Sequence, residues 1–373
     1  VPASEEPLGR KHERRDRPLA DRAHAPKKAE PPHGASRPRV FARSAALRLG
    51  AAGGRAAVVA TYRIDRSYDW NYENGPVFDG PYPAVPATPR KTFLGYEVAS
   101  RLGIAAGLLL NSRWVETYAR LGFDILTYKT VRSRHRACYP VPNWVYLDPG
   151  VPLDGSGAPL VASGSGAEPP GFPTSSVSFG MPSKEPAEWM ADVARARSAL
   201  GDGQVLVVSV VGTPEPGAGP AELVDDFARL AAMAREAGAQ IVEANLSCPN
   251  VTSAEGQIFQ DPALSGEIAR AMRASAGTLP ILLKAGYFAD DAALGAYLRA
   301  VAGHVTGVTL VNGLSRRVVD AAGKPAFGPG REGSGVLGAG VFPFCLDVVR
   351  RAVALIEREK LDLAVVAVGG VAG

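Results

Sequence analysis

No methionine precedes Met181 in this 373-residue chain, which starts at Val1. An alternative start codon and a fragment of a longer protein both account for that. Cysteine is scarce: Cys138, Cys248 and Cys345 are odd in number, far apart and outside any zinc-ligand spacing. Neither a disulfide framework nor a metal site is therefore expected, and a reducing cytoplasm suits them best. No run of roughly 18 apolar residues exists, so no membrane span is expected. Blocks of basic charge are missing from the body of the chain and the net charge is only +4, which argues against nucleic acid as a partner. Apolar residues are plentiful, at 46%, enough for one large core or two modest ones.

Composition divides the chain in three. Residues 1–61 form a basic, largely disordered extension: Arg, Lys, Pro, Glu and His mix without apolar periodicity, as in Arg10-Lys11-His12-Glu13-Arg14-Arg15-Asp16-Arg17, and such a segment cannot bury a core. Its later part, 41–61, is rich in Ala and Arg and has room for one short helix. The apolar portion lies too deep, and is too interrupted by Arg48 and Arg55, for a signal peptide. Residues 62–91 turn to Tyr, Asp, Asn, Trp and Pro and read as an irregular lead-in whose aromatics pack over one end of the domain that follows.

From 92 to 373 a rhythm sets in of short apolar run, polar turn and amphipathic helix. Strands are expected over 103–106, 123–130, 204–212, 240–246, 280–285, 307–312 and 363–368. Helices are expected between them, over 112–121, 186–200, 221–237, 262–276, 290–302 and 343–360. Leu223, Phe227, Leu230 and Ala234 show the three-to-four spacing of a buried stripe. Strands alternating with helices imply a parallel sheet. The expected fold is an α/β (β/α)8 TIM barrel in which the eighth β/α unit is missing from this chain, since the rhythm stops after seven strands. A doubly wound open sheet is the alternative that the count leaves open. The longest break, 131–183, is Gly/Ser/Pro-rich in its middle and suits an active-site lid or an insertion.

The most informative stretch is Val242-Glu243-Ala244-Asn245-Leu246-Ser247-Cys248-Pro249-Asn250-Val251. An apolar strand passes abruptly into two amides, a hydroxyl and a thiol, then a Pro-Asn turn. In a β/α barrel the C-terminal ends of strands hold the chemistry. A buried structural thiol is the ordinary role of a cysteine, but a cysteine in a turn beyond a strand end, two residues before an asparagine, suits catalysis better. Lys284 follows four apolar residues in Ile281-Leu282-Leu283-Lys284, and a charge placed there needs an anionic or polar partner. Either a ligand or a structural salt bridge supplies one.

The Asn-Leu-Ser-Cys-Pro-Asn run closely resembles the active-site strand of the dihydroorotate dehydrogenase family. The resemblance covers about 92–373 and takes in Tyr139-Pro140-Val141-Pro142-Asn143-Trp144, Val319-Asp320-Ala321-Ala322-Gly323-Lys324-Pro325-Ala326-Phe327-Gly328, Gly335-Val336-Leu337-Gly338-Ala339-Gly340 and Val368-Gly369-Gly370-Val371. It implies an FMN-dependent oxidoreductase that converts dihydroorotate to orotate in pyrimidine biosynthesis. Cys248 would be the general base and Lys129 its positively charged neighbour. A lysine and a cysteine at these two positions match the soluble, cysteine-base class rather than the membrane-associated, serine-base class. Asn245, Asn250, Asn312 and Ser178 would bind substrate. Ala106, Gly107, Lys129, Lys284, Gly338, Gly369 and Gly370 would bind FMN, with glycines before a helix placing backbone N–H groups on the phosphate.

One departure bears on substrate. Where the family has an asparagine, Ser176-Val177-Ser178-Phe179-Gly180-Met181-Pro182 carries Val177, and valine cannot hydrogen-bond a pyrimidine. An unpaired buried polar group costs about 1–3 kcal/mol, roughly 5 to 150-fold in binding. Either Ser176 or Ser178 takes over, or the substrate is another dihydropyrimidine. The second departure is the absent eighth unit, from which poor flavin binding by this chain is expected. A related flavin enzyme of another dihydropyrimidine and a non-catalytic fragment of the fold are the alternatives. The resemblance further implies a homodimer and an electron-transfer partner subunit for the NAD-linked form. The electron acceptor itself is not legible.

Overall fold

The computed structural model describes residues 62–76, 78, 81–148, 153, 157–164, 173–213, 215, 217–247 and 254–371. The 1–61 extension, Cys248 and Asn250 lie outside the described residues.

In chain order the elements are α1 (Tyr68–Asn74), the hairpin strands β1 (Lys91–Phe93) and β2 (Tyr96–Val98), β3 (Gly103–Ile104), α2 (Ser112–Arg120) and β4 (Ile125–Val131). Three short strands follow: β5 (Trp144–Tyr146), β6 (Leu160–Val161) and β7 (Thr174–Val177). The alternation then resumes with α3 (Pro186–Ser198), β8 (Val205–Val210), α4 (Pro220–Glu236), β9 (Ile241–Asn245), α5 (Pro262–Ala276), β10 (Ile281–Ala285), α6 (Asp291–Val301) and β11 (Gly307–Leu310). The last are β12 (Leu314–Val319), β13 (Gly333–Gly338), α7 (Phe342–Glu359) and β14 (Ala364–Ala367).

Seven strands form one parallel sheet in the order β14-β11-β10-β9-β8-β4-β3. They are the seven runs expected from the sequence, most of them shorter at one or both ends, while β4 runs one residue further, to Val131. Every residue of β4, β8, β9, β10 and β11 is buried, because such strands are covered by helices on one side and by the barrel interior on the other. Helix starts are set locally: Asn111, Asp261 and Asp290 accept hydrogen bonds from backbone N–H groups of the first turns of α2, α5 and α6, the capping role of a short polar side chain. The stripe of α4 is confirmed by burial of Leu223, Phe227, Leu230, Ala231 and Ala234.

The structure departs from expectation in the breaks. Of the 131–183 stretch, residues 149–152, 154–156 and 165–172 lie outside the described residues, and the rest is not a structureless excursion. It supplies β5, β6 and β7, which join β12 and β13 in a second sheet of order β5-β7-β13-β12-β6. The Gly335 to Gly340 run, expected as glycines before a helix, first completes β13 and then leads into α7. This sheet has its own small core of Leu147, Leu160, Leu314, Val318, Phe327, Val336 and Val341.

Candidate active site

The C-terminal ends of the parallel strands surround a cavity of about 350 Å³, within the ~300–1,000 Å³ range of small-molecule sites. Ala105, Ala106, Gly107 and Leu108 reach it after β3, Lys129 and Thr130 from the end of β4, Asn245 from the end of β9 and Lys284 from β10. Val311, Asn312 and Gly313 follow β11, and Val368, Gly369 and Gly370 follow β14. The second sheet contributes Trp144, Val177, Gly335, Leu337 and Gly338. Trp144, Val177 and Gly335 are direct cross-strand partners.

Expected site residues from many parts of the chain thus meet on one cavity: Ala106, Gly107, Lys129, Asn245, Lys284, Asn312, Gly338, Gly369 and Gly370. Lys129 is buried rather than a solvated strand end. Asn245 and Asn312 form an amide pair in which Asn312 Nδ2 donates to Asn245 Oδ1 at 2.9 Å and also to the Ser247 carbonyl. Lys284 lines the cavity and is also paired, its Nζ lying 3.1 Å from Oε1 of Glu243, the structural salt bridge that was one of the two sequence readings of that lysine. Ser178 is not among the lining residues. Its Oγ is buried without a partner among the described residues. Ser176 is committed elsewhere, to Ser334 Oγ at 2.8 Å and the Gly335 carbonyl at 3.1 Å. Val177 faces the cavity between them.

The lead-in aromatics pack over one end of the domain as expected, but their joining Trp144 and Phe179 in one aromatic wall was not foreseen. Tyr62 stacks on Trp144 with centroids 5.6 Å apart and meets Phe179 edge-on at 5.4 Å, and Tyr68 lies on the same cavity. Aromatics make up only 7% of the chain, so their gathering in the irregular stretches before and after β4 was the available signal. Burial raises the Tyr62 and Tyr68 hydroxyls well above the ordinary phenol range. Cys138, beside this wall, is pushed up to about 11 by burial, with the charge of Lys129 pulling the other way.

The residues present fit a flavin mononucleotide. Gly107 has φ +147° and a side chain there would meet nothing within 4 Å, so the backbone itself forms that wall. A Cβ on Gly370, at φ +68°, would sit 2.5 Å from the Gly338 carbonyl oxygen; the two glycines make a tight cradle beside the start of α7. The Trp144 indole N–H and Tyr62 hydroxyl are buried without partners among the described residues, polar atoms of the kind a ligand or water satisfies. No group of His, Cys, Asp and Glu among the described residues could hold a metal ion, and no described helix is long and apolar enough to cross a membrane.

A family model described as dihydroorotate dehydrogenase matches residues 178–373. A dihydroorotate dehydrogenase of Dictyostelium discoideum is 35% identical over 329 residues, covering 83% of this chain and 87% of that protein. The catalytic subunit of a dihydroorotate dehydrogenase B (NAD(+)) from Solidesulfovibrio magneticus is 34% identical over 97 residues, 26% of this chain and 31% of its own. A ligand-free DHODH crystal structure from Eimeria tenella superposes with a TM-score of 0.59 over 81% of each chain at 14% identity, a likeness of fold that marks the architecture as TIM-barrel-like. With the family model and the Dictyostelium relative each spanning more than half of it, the chain belongs to the dihydroorotate dehydrogenase family, oxidoreductases acting on a CH–CH group.

Proposed function

We propose that the cavity binds FMN together with dihydroorotate and that the protein oxidises this substrate to orotate, a step of pyrimidine biosynthesis, in the cytoplasm. The observation that carries the reading is the convergence of Lys129, Asn245, Lys284, Asn312 and the glycines 107, 338, 369 and 370 on one cavity. When bound, FMN supplies the acceptor for the hydride that leaves substrate C6. Ala105, Ala106 and Gly107 would hold the ring system, since small residues let a flat group approach the backbone. Gly338, Gly369 and Gly370 would hold the phosphate.

Cys248 is proposed to take the proton from C5. A thiolate is the competent form, and positive charge nearby favours it, a role suited to Lys129. Asn245, Asn250 and Asn312 would orient the ring amides and the carboxylate, with Ser178 as a further substrate contact. Fixing both reacting centres this way removes much of the entropic barrier. The NAD(+) relative, named as a catalytic subunit, supports an electron-transfer partner as one route for reoxidation. A homodimer is the assembly proposed by resemblance.

Val177 on the cavity wall favours a second reading, in which the substrate is another dihydropyrimidine. Anaerobic mixing of the FMN-loaded, full-length protein with dihydroorotate, followed by flavin absorbance, separates the two. Bleaching slowed by ~10²–10⁴-fold in Cys248→Ala supports dihydroorotate and the cysteine base. Flavin that stays oxidised with dihydroorotate but bleaches with dihydrouracil supports the second reading.

A further inference from the structure

Five adjacent strands carry a row of buried polar side chains: Thr130 on β4, Ser209 on β8, Glu243 on β9, Lys284 on β10 and Thr309 on β11. The ladders set them side by side, with Ser209 opposite Glu243 and Lys284 opposite Thr309. Thr130 and Ser209 share a hydrogen bond of 3.0 Å. Thr309 Oγ1 donates to Glu243 Oε2 at 2.9 Å, and Lys284 Nζ stands 3.1 Å from Glu243 Oε1. Of this group Thr130 and Lys284 line the cavity; Glu243 does not. Asn245, two residues beyond Glu243 on the same face of β9, does line it.

The lysine therefore has two sides, one toward the cavity and one toward a carboxylate with no access to it. The Glu243 Oε1 contact is close enough for charge pairing, yet that oxygen receives no aligned hydrogen bond among the described residues. The pair is held by charge, and Thr309 fixes the other carboxylate oxygen. In so buried a site a fixed charge acts strongly on its neighbours.

Resting on the flavin reading above, we propose that Glu243 is a positioning residue that acts through Lys284. Its carboxylate holds the ammonium at the cavity wall and offsets part of its charge, and so sets how strongly the site favours the negative charge that reduction brings to a bound flavin. Thr309 orients the carboxylate.

The test is the midpoint potential of the bound flavin, measured by dye equilibration in the full-length protein, with FMN affinity measured alongside. Glu243→Gln keeps the shape and removes the charge, and is expected to shift the potential to more positive values. Glu243→Asp keeps the charge and is expected to lie nearer the wild type than Gln does. Flavin bound as tightly as in the wild type with an unshifted or more negative potential in Glu243→Gln overturns the inference alone. Should Glu243→Gln not fold, Thr309→Val decides: a smaller shift of the same sign supports the proposal and an unchanged potential overturns it. A wild-type protein that binds no FMN removes the flavin reading, and this inference with it.

Discussion

Cys138 shows how one residue's surroundings set its chemistry. It is half-buried against the aromatic wall, its Sγ receives a long contact of 3.7 Å from Asn143 Nδ2, and burial is the largest of the influences that raise it from 9.0 to about 11. An acid whose folded value is raised contributes stability below its unfolded value and loses it as the pH climbs through the folded one. This thiol's contribution is therefore complete below about pH 9 and disappears between about pH 9 and 11. Two consequences follow. Alkylation of the Cys138 peptide, read by mass spectrometry, should reach half its maximal rate near pH 11 rather than near 9. Cys138→Ala should flatten the fall in stability across that window; an unchanged slope would trace the fall to the tyrosines instead.

At the scale of elements, Asp192 of α3 ties three pieces together. Its carboxylate accepts the Ser112 backbone N–H and hydroxyl at the start of α2 and the Tyr128 hydroxyl of β4, each at 2.7 Å, while Arg195 bonds it from the same helix. Asp192→Ala leaves the Tyr128 hydroxyl buried and unpaired and the Ser112 donors half-buried, with Arg195 free to reach solvent, and is expected to lower the unfolding free energy by roughly 1–3 kcal/mol. Denaturant melts should show the midpoint falling with an unchanged slope, and a loss under about 1 kcal/mol would mean that Arg195 and water make up the difference. Such ties were not legible in the sequence, because nothing local links position 192 to 112 or 128. The β/α rhythm was legible, since runs such as Val205–Val210 are β-branched and apolar enough to be buried from both sides. Lys129, Asn245, Lys284 and Asn312 were legible as polar residues in or ending apolar runs. The second sheet was not. Thr174–Val177 is short and half serine, Gly333–Gly338 is half glycine, and Ser176 and Ser334 meet from 158 positions apart. Glu243 reads as one more residue of an apolar strand until the fold brings its carboxylate to Lys284 and Thr309.

Among the described residues, the two larger sheets differ in character and meet at one cavity. The parallel sheet rests on a continuous core that runs from α2 to α7, whereas the second sheet depends on a handful of residues around Phe327, itself fully buried. Regions with few buried apolar contacts open at lower free energy than the rest of a fold, so the second sheet is the part expected to loosen first. It supplies Val177, Gly335, Leu337 and Gly338 to the cavity, which means that opening it dismantles the ligand site and leaves the barrel standing. Phe327→Ala tests this coupling, because Phe327 does not line the cavity. The cavity left by the ring should cost about 3–5 kcal/mol, taken first from the second sheet. Hydrogen exchange is expected to accelerate in β12 and β13 while β8, β9 and β10 exchange as in the wild type, and FMN affinity is expected to fall at least about tenfold, the equivalent of ~1.4 kcal/mol. Acceleration spread evenly over both sheets would mean that they open as one cooperative unit, and the ligand site would then be as durable as the barrel that carries it.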